Sequence, residues 1–172
     1  RGKTKARRSK AGEPGKGLKV VWNNPRSSFT FIGSLKKNYK ELKTLKINKE
    51  QRETLRQFKQ HLLRWNLTHS LVSKSQTNNL NEHIFDSLSI QPHLGKNLID
   101  VGSGGGFPGI PIAIISEDKK IFLIESNNKK ASFLLHTTNK LSLKNIKVLN
   151  TRVEDLGPKD FPQPYELLTR AF

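Results

Sequence analysis

A glycine-rich segment that follows a short apolar run limits the folds open to this chain more than any other feature. Residues 98–109 read LIDVGSGGGFPG, and an apolar stretch with helical character follows over residues 110–115. Glycines allow a tight turn and let the backbone approach a ligand closely. The segment therefore predicts a strand, a ligand-binding loop and a helix in that order.

Apolar runs and helical patterns alternate along the rest of the chain. Strands are predicted over residues 97–101, 121–124, 146–149 and 166–169, and helices over residues 110–115 and 129–141. This alternation predicts an α/β fold with a parallel sheet. Two amphipathic helices, over residues 48–65 and 79–89, are predicted to precede it.

The positive charge of the chain is concentrated near its amino terminus. Residues 1–46 carry 14 of the 31 Lys and Arg residues but only two of the 14 acidic residues. Basic residues mixed with Gly, Pro and Ser predict a disordered tail over residues 1–46. A domain is predicted over residues 47–172, with helices in 47–95 and the sheet in 96–172. The tail could bind nucleic acid phosphates or be unrelated to function, and the sequence leaves both open.

The composition excludes several kinds of chemistry. The chain has no cysteine, which excludes disulfides, thiolate metal sites and cysteine nucleophiles, and its five histidines are scattered. No apolar run approaches the roughly 18 residues that span a bilayer. We expect no metal site, no membrane association and a cytoplasmic location. Because the chain begins at Arg1 and lacks methionine, we also expect it to be a fragment.

Two kinds of nucleotide loop fit the glycine spacing. Gly104, Gly106 and Gly109 match the dinucleotide fingerprint, whereas Asp100, Gly102, Gly104 and Gly106 match the loop of enzymes that use S-adenosylmethionine. A carboxylate at Asp100 would repel a pyrophosphate but suits the positive charges of S-adenosylmethionine. The sign of this charge favours the methyl donor.

Acidic residues follow the next two predicted strands. Glu125 comes 23 residues after Gly102, where a carboxylate can accept hydrogen bonds from ribose hydroxyls. Glu154 and Asp155 follow the third strand, where an adenine would lie in an open sheet. Together with the loop, they predict a nucleoside-type cofactor.

Several motifs resemble one family closely. They are DVGSGGGFPGIPIAI from Asp100, HIFDSL from His83, the segments Lys144-Asn145-Ile146 and Thr151-Arg152-Val153-Glu154, and Arg170-Ala171-Phe172. Over about residues 50–172 the chain resembles the ribosomal RNA small subunit methyltransferase G family, also called glucose-inhibited division protein B. The first 45 residues do not resemble it.

The resemblance implies a Rossmann-like class I methyltransferase fold with an N-terminal helical cap. It also implies S-adenosylmethionine as cofactor, 16S ribosomal RNA in the small ribosomal subunit as substrate, N7 of a guanine as the methylated atom, and a monomer. The implied cofactor residues, added to those above, are Phe107, Ser126, Asn127, Val153 and Arg170. His83, Asp86 and Arg170 are implied candidates on the target side.

Some features depart from the family pattern. Ser70 stands where the pattern has a second asparagine after Trp65-Asn66. The chain also stops at Phe172, where such a sheet would continue, so we expect an incomplete sheet with an exposed strand edge. Two other functions stay open: an RNA-binding protein without catalysis and part of an NAD-dependent oxidoreductase.

Overall fold

A single mixed sheet organises the protein. The computed structural model describes the backbone of residues 18–24, 27–32 and 46–170, and the side chains of residues 46–169. The six strands are β1 (Leu18–Asn24), β2 (Ser27–Ile32), β3 (Asn97–Val101), β4 (Lys120–Ile124), β5 (Ile146–Leu149) and β6 (Tyr165–Arg170). Their order across the sheet is β2-β1-β6-β3-β4-β5.

The four strands predicted from the sequence form the parallel part of this sheet. β3 pairs with β4 and β6, and β4 pairs with β5, all in parallel. The chain runs outward from β3 through β4 to β5 and then returns to β6 on the other side of β3. Ligands of open α/β sheets bind at the carboxyl ends of the strands, where the strand order reverses. In this protein that position lies between the ends of β3 and β6.

Two further strands extend the sheet beside β6. β1 pairs antiparallel with β6 from Leu18 opposite Arg170 to Asn23 opposite Tyr165, and β2 pairs antiparallel with β1. Residues 18–24 and 27–32 of the predicted disordered tail are thus strands, and they pair with the sheet because β6 offers unpaired backbone groups. Residues 1–17 and 33–45 lie outside the described residues, and the boundary near residue 46 stays a prediction.

Five α-helices are described: α1 (Lys49–His69), α2 (Lys74–Asn78), α3 (Leu80–Ser89), α4 (Gly109–Ile115) and α5 (Asn128–Lys140). Short 3-10 segments occupy Gln91–His93, Val153–Asp155 and Pro158–Asp160. α1 starts where Asn48 and Gln51 form a reciprocal capping box, and it ends at Ser70. These positions confirm the four helices predicted from the sequence and extend the first one by a turn.

The two faces of the sheet carry different cores. On one face, Leu98, Leu123 and Leu168 are buried under the helices in the larger apolar cluster. On the other face, Ile99, Phe122 and Ile124 pack with Phe161 and Tyr165 of the β5 to β6 connection. Strand side chains alternate between faces, so β3 is buried on both sides, as a parallel strand should be.

A buried polar cluster holds the amino edge of the sheet. The Glu166 carboxylate is 5% exposed and accepts a 2.9 Å hydrogen bond from the Gly95 backbone N–H. The Lys119 ammonium donates to the carbonyl oxygens of Leu94 and Gly95. Burial raises the pKa of Glu166 above its ordinary value. The cluster fastens β6 to the segment before β3, at the end of the sheet opposite the glycine loop.

Among the described helices, none is both long and apolar enough to cross a membrane. Within residues 46–169, no three His, Asp or Glu side chains are grouped so that they could hold a metal ion.

Candidate functional site

The glycine loop joins β3 to α4 at the carboxyl edge of the sheet. Gly102, Gly104 and Gly106 have φ angles of +71°, +52° and +89°, which other residues adopt only with strain. The backbone N–H groups of Gly102 and Ser103 both donate to the Ile124 carbonyl at the end of β4. The loop is therefore tied to the neighbouring strand where that strand ends.

Gly102 is the loop position that is open to a ligand. It is exposed, and a Cβ atom built there would have no other atom within 4 Å. At Gly106, by contrast, the same atom would lie 2.5 Å from Ile110 Cδ1 inside the protein. Gly102 and Gly106 were both predicted to contact the cofactor, but only Gly102 faces the site, because Gly106 faces the core.

Asp100 was predicted to face the cofactor, but its side chain points into the protein. Its side chain is 0% exposed, and its Oδ2 accepts a 3.1 Å hydrogen bond from the backbone N–H of Gly109, the first residue of α4. The alternation along β3 places Asp100 on the same helix-covered face as Leu98. Asp100 therefore holds the end of the loop from inside the protein.

Phe107 is also a core residue and does not line the site. It is 2% exposed, and its ring lies 5.3 Å from that of Phe58 in α1 and 5.9 Å from that of His83 in α3. His83 and Asp86 are half-buried, and the His83 ring packs against Phe107. The structure thus places His83 in the packing of the helical cap against the loop, and Asp86 lies one turn further along the same helix.

Glu125 joins the glycine loop to the start of α5. Its Oε2 accepts a 2.9 Å bond from the Gly104 N–H, and its Oε1 accepts a 2.8 Å bond from the Asn127 N–H. The Asn127 side chain caps α5 by accepting from the N–H groups of Lys129 and Lys130. Ser126 between them is exposed. Three of the predicted residues therefore meet at the end of β4, as the sequence indicated.

Val153 and Glu154 lie after β5 in the 3-10 segment and are both exposed. Val153 presents 37% of its surface, an apolar patch beside the carboxyl end of β5. Arg170 ends β6 directly after Thr169, which pairs with Val101 at the end of β3, but its side chain lies outside the described part of the chain. The carboxyl edge thus brings together the predicted positions after all four parallel strands.

Comparison with known proteins identifies the family. A family described as rRNA small subunit methyltransferase G, GidB, matches residues 51–172, which is more than half of the chain. The chain belongs to this family. The matched region begins inside α1 and includes the glycine loop, the parallel strands and Arg170.

Individual members of the family are similar over most of the same region. The ribosomal RNA small subunit methyltransferase G of Chromobacterium violaceum is 40% identical over 132 residues, covering 74% of this chain and 62% of the relative. That of Vibrio vulnificus is 37% identical over 130 residues, covering 74% and 61%. That of Nitrosomonas europaea is 45% identical over 97 residues, covering 55% and 45%. The chain therefore spans less than two thirds of the length of these relatives.

Sequence reasoning missed residues that set the loop geometry without touching its open side. Ser103 is buried, and its hydroxyl donates a 2.8 Å bond to the Asp100 carbonyl. Asn66 at the end of α1 accepts a 2.8 Å bond from the Val72 N–H. A serine inside a glycine loop is a signal that could have revealed Ser103, whereas the contact of Asn66 depends on how the chain turns after α1.

Proposed function

We propose that this chain binds S-adenosylmethionine at the carboxyl edge of β3, β4 and β5 as part of a methyltransferase acting on 16S ribosomal RNA. Family membership supports the reaction class. The contacts of Asp100, Gly102 and Glu125 support the cofactor.

The hydrogen bond from Gly109 to Asp100 is the observation that carries the choice of cofactor. In dinucleotide-binding folds, the pyrophosphate lies at the amino terminus of the helix that follows the glycine loop. In this protein the Asp100 carboxylate already accepts the first N–H of that helix. An anion at the same place would be repelled, whereas a cofactor with a positive sulfonium and ammonium would be attracted. This contact disfavours NAD.

Three residues of the edge fit the parts of S-adenosylmethionine: Gly102 and Val153 are exposed, and Glu125 is 7% exposed. Gly102 leaves open space where the backbone could be approached closely. Glu125 directly follows β4, and each of its carboxylate oxygens has a second lone pair for a ribose hydroxyl. Val153 offers an apolar surface for an adenine. These residues would hold the cofactor across the ends of three adjacent strands.

The family resemblance points to N7 of a guanine as the methylated atom. When bound, S-adenosylmethionine would supply an electrophilic methyl group. Guanine N7 carries an in-plane lone pair and no proton, so no side chain needs to act as a base. The contribution of the protein is then to hold and orient the two reactants. No side chain of the protein is therefore required as a catalytic acid or base.

Titration calorimetry with S-adenosylhomocysteine tests the cofactor assignment. We expect micromolar binding to the wild-type chain and no competition by NAD. Gly102→Ala should weaken binding at least tenfold, because it strains a positive φ and fills the open space above the loop.

Gly157→Ala is the matched control for this substitution. A Cβ atom at Gly157 would meet its nearest neighbour at an ordinary 3.7 Å, so binding should be unchanged. Circular dichroism checks that each variant is folded. A folded wild-type chain that binds NAD and not S-adenosylhomocysteine would show the proposal to be wrong.

Transfer of a radiolabelled methyl group tests the substrate. Small ribosomal subunits isolated without this modification should accept label in 16S RNA, and digestion to nucleosides should give 7-methylguanosine. Label at another base would overturn the N7 assignment while leaving the methyltransferase assignment in place.

A further inference from the structure

A groove of about 800 Å³ runs beside the glycine loop and shares Gly104 with the predicted cofactor residues. It lies between the end of α1, the start of α2, the loop and the first turn of α5. Its lining includes Leu63, Leu67, Lys74, Gly104, Gly105 and Lys130. We refer to it as the loop groove.

The loop groove is positively charged. No lining residue is acidic, and the lining contains two lysines, Lys74 and Lys130. Within residues 46–169, neither ammonium group has an ion pair or a hydrogen bond. By contrast, a groove of about 400 Å³ at the other end of α1 includes both Glu50 and Glu117. Of these two grooves, the loop groove has the charge that suits a polyanion.

The loop groove also presents apolar surface. Leu67 is 87% exposed and Leu63 is 36% exposed, although both are large hydrophobic side chains. They are four residues apart on α1 and so lie on the same side of the helix. Exposed leucines beside unpaired lysines match a ligand with flat apolar groups joined by anionic linkers. Single-stranded nucleic acid has this chemistry, since leucine side chains can pack against bases while phosphates pair with lysine.

The groove has a fixed position relative to the glycine loop. The Asn66 side chain holds the Val72 N–H, and Val72 packs so closely on Gly105 that a Cβ there would lie 2.7 Å from Val72 Cγ1. Ser73 and Gln76 form a reciprocal capping box at the start of α2. A ligand in the groove would therefore be held at a set distance from Gly102.

We propose that the loop groove binds single-stranded RNA next to the nucleotide to be methylated. Lys74 and Lys130 contact phosphates, and Leu67 packs against a base. The inference rests on the proposed function, because RNA is chosen as the polyanion on that basis. It adds a docking surface on the helical cap side of the loop, where the sequence predicted only the loop residue Gly104.

Fluorescence anisotropy with a labelled ten-nucleotide single-stranded RNA tests the groove, using the full chain at several KCl concentrations. Lys74→Gln and Lys130→Gln should each weaken binding at least threefold. Each should also reduce the slope of log K against log salt concentration by about 0.7, the value for one lost phosphate contact on a single strand. Leu67→Ala should weaken binding without changing the slope.

Matched controls lie elsewhere on the chain. Lys120→Gln removes an exposed lysine at the amino edge of the sheet, and Leu135→Ala removes an apolar side chain of α5 that is 46% exposed. Both should bind RNA as the wild type does, and the basic residues 1–46 are common to every variant. If the groove variants match these controls, or if the wild type binds no RNA, the groove proposal is overturned. A protein partner or a second copy in the groove would give the same overturning result.

Calorimetry with S-adenosylhomocysteine on the same proteins separates the two proposals. Retained cofactor binding with weakened RNA binding supports the groove. Retained cofactor binding with RNA binding equal to the controls overturns the groove and leaves the proposed function standing. Failure of the folded wild type to bind S-adenosylhomocysteine overturns the proposed function, whereas the lysine and leucine variants still decide whether the groove binds RNA.

Discussion

At the scale of the residue, Ser70 shows how a departure from the family pattern affects the fold. It ends α1 in the left-handed conformation, with φ +49° and ψ +47°, and it stands where the family pattern has asparagine. Glycine and asparagine tolerate this conformation better than serine does. Serine therefore adopts this backbone conformation at a cost that glycine or asparagine would reduce.

Replacing Ser70 should stabilise the protein. We expect Ser70→Gly to raise the free energy of unfolding by about 0.5 to 1 kcal/mol and Ser70→Asn to raise it somewhat less. Urea denaturation measures both. Ser75→Gly, in the exposed helix α2, is the matched control and should lower the stability by a similar amount. A Ser70→Gly variant that is no more stable than the wild type would contradict this explanation.

At the scale of the element, a histidine pair joins α1 to α5. His61 Nε2 and His136 Nδ1 are 3.0 Å apart, and His61 is buried against Phe133 and Trp65. Burial lowers the pKa of His61 below its ordinary value, and the nearby charges of His136, Lys140 and Arg64 lower it further. One proton can bridge the two rings, but two protons cannot.

The pair should make stability depend on pH. Between the lowered native pKa of His61 and its unfolded value near 6.5, the unfolded state binds more protons, so stability falls as the pH falls. The stability that the buried neutral His61 ring contributes is complete above pH 6.5. It is lost as the pH drops through the native pKa of His61. Urea midpoints measured from pH 8 to pH 5 should show this decline. The decline of the urea midpoint should be smaller in His61→Phe and unchanged in His93→Gln. Equal slopes in all three proteins would exclude the pair as the cause.

At the scale of the whole molecule, the β1 and β2 hairpin determines how the sheet ends. β1 pairs along the whole length of β6, including Leu18 opposite Arg170 at the carboxyl edge. Without it, β6 would present unpaired N–H and C=O groups, which favour association with other chains. The hairpin belongs to the part of the sequence that does not resemble the family.

Truncation tests this role of the hairpin. Removal of residues 1–33 should lower the melting temperature and cause concentration-dependent association, as measured by sedimentation velocity. Removal of residues 1–16 alone also removes basic charge but keeps both strands. This truncation should neither lower the melting temperature nor cause association. Identical behaviour of the two truncated chains would mean that charge, rather than strand pairing, accounts for the effect.

Much of the fold could be predicted from the sequence because its signals are local. The run Asn97–Val101, the glycines that follow and the helical pattern after Gly109 depend on neighbouring residues, and all three were predicted correctly. The sequence also predicted that one edge of the sheet carries Gly102, Glu125 and Val153, because parallel strands place their carboxyl ends together. The pairing of β1 with β6 could not be predicted, because it joins segments about 150 residues apart.

The sequence by itself determined a parallel α/β core, a glycine loop after its first parallel strand and acidic residues after the next two. Only the tertiary structure decided which of these residues face a ligand. Alternation in β3 puts Asp100 and Leu98 on one face, but the position of α4 decides that this face is covered and that the Gly109 N–H comes within reach. Burial depends on how elements pack, and packing is a property of the assembled chain.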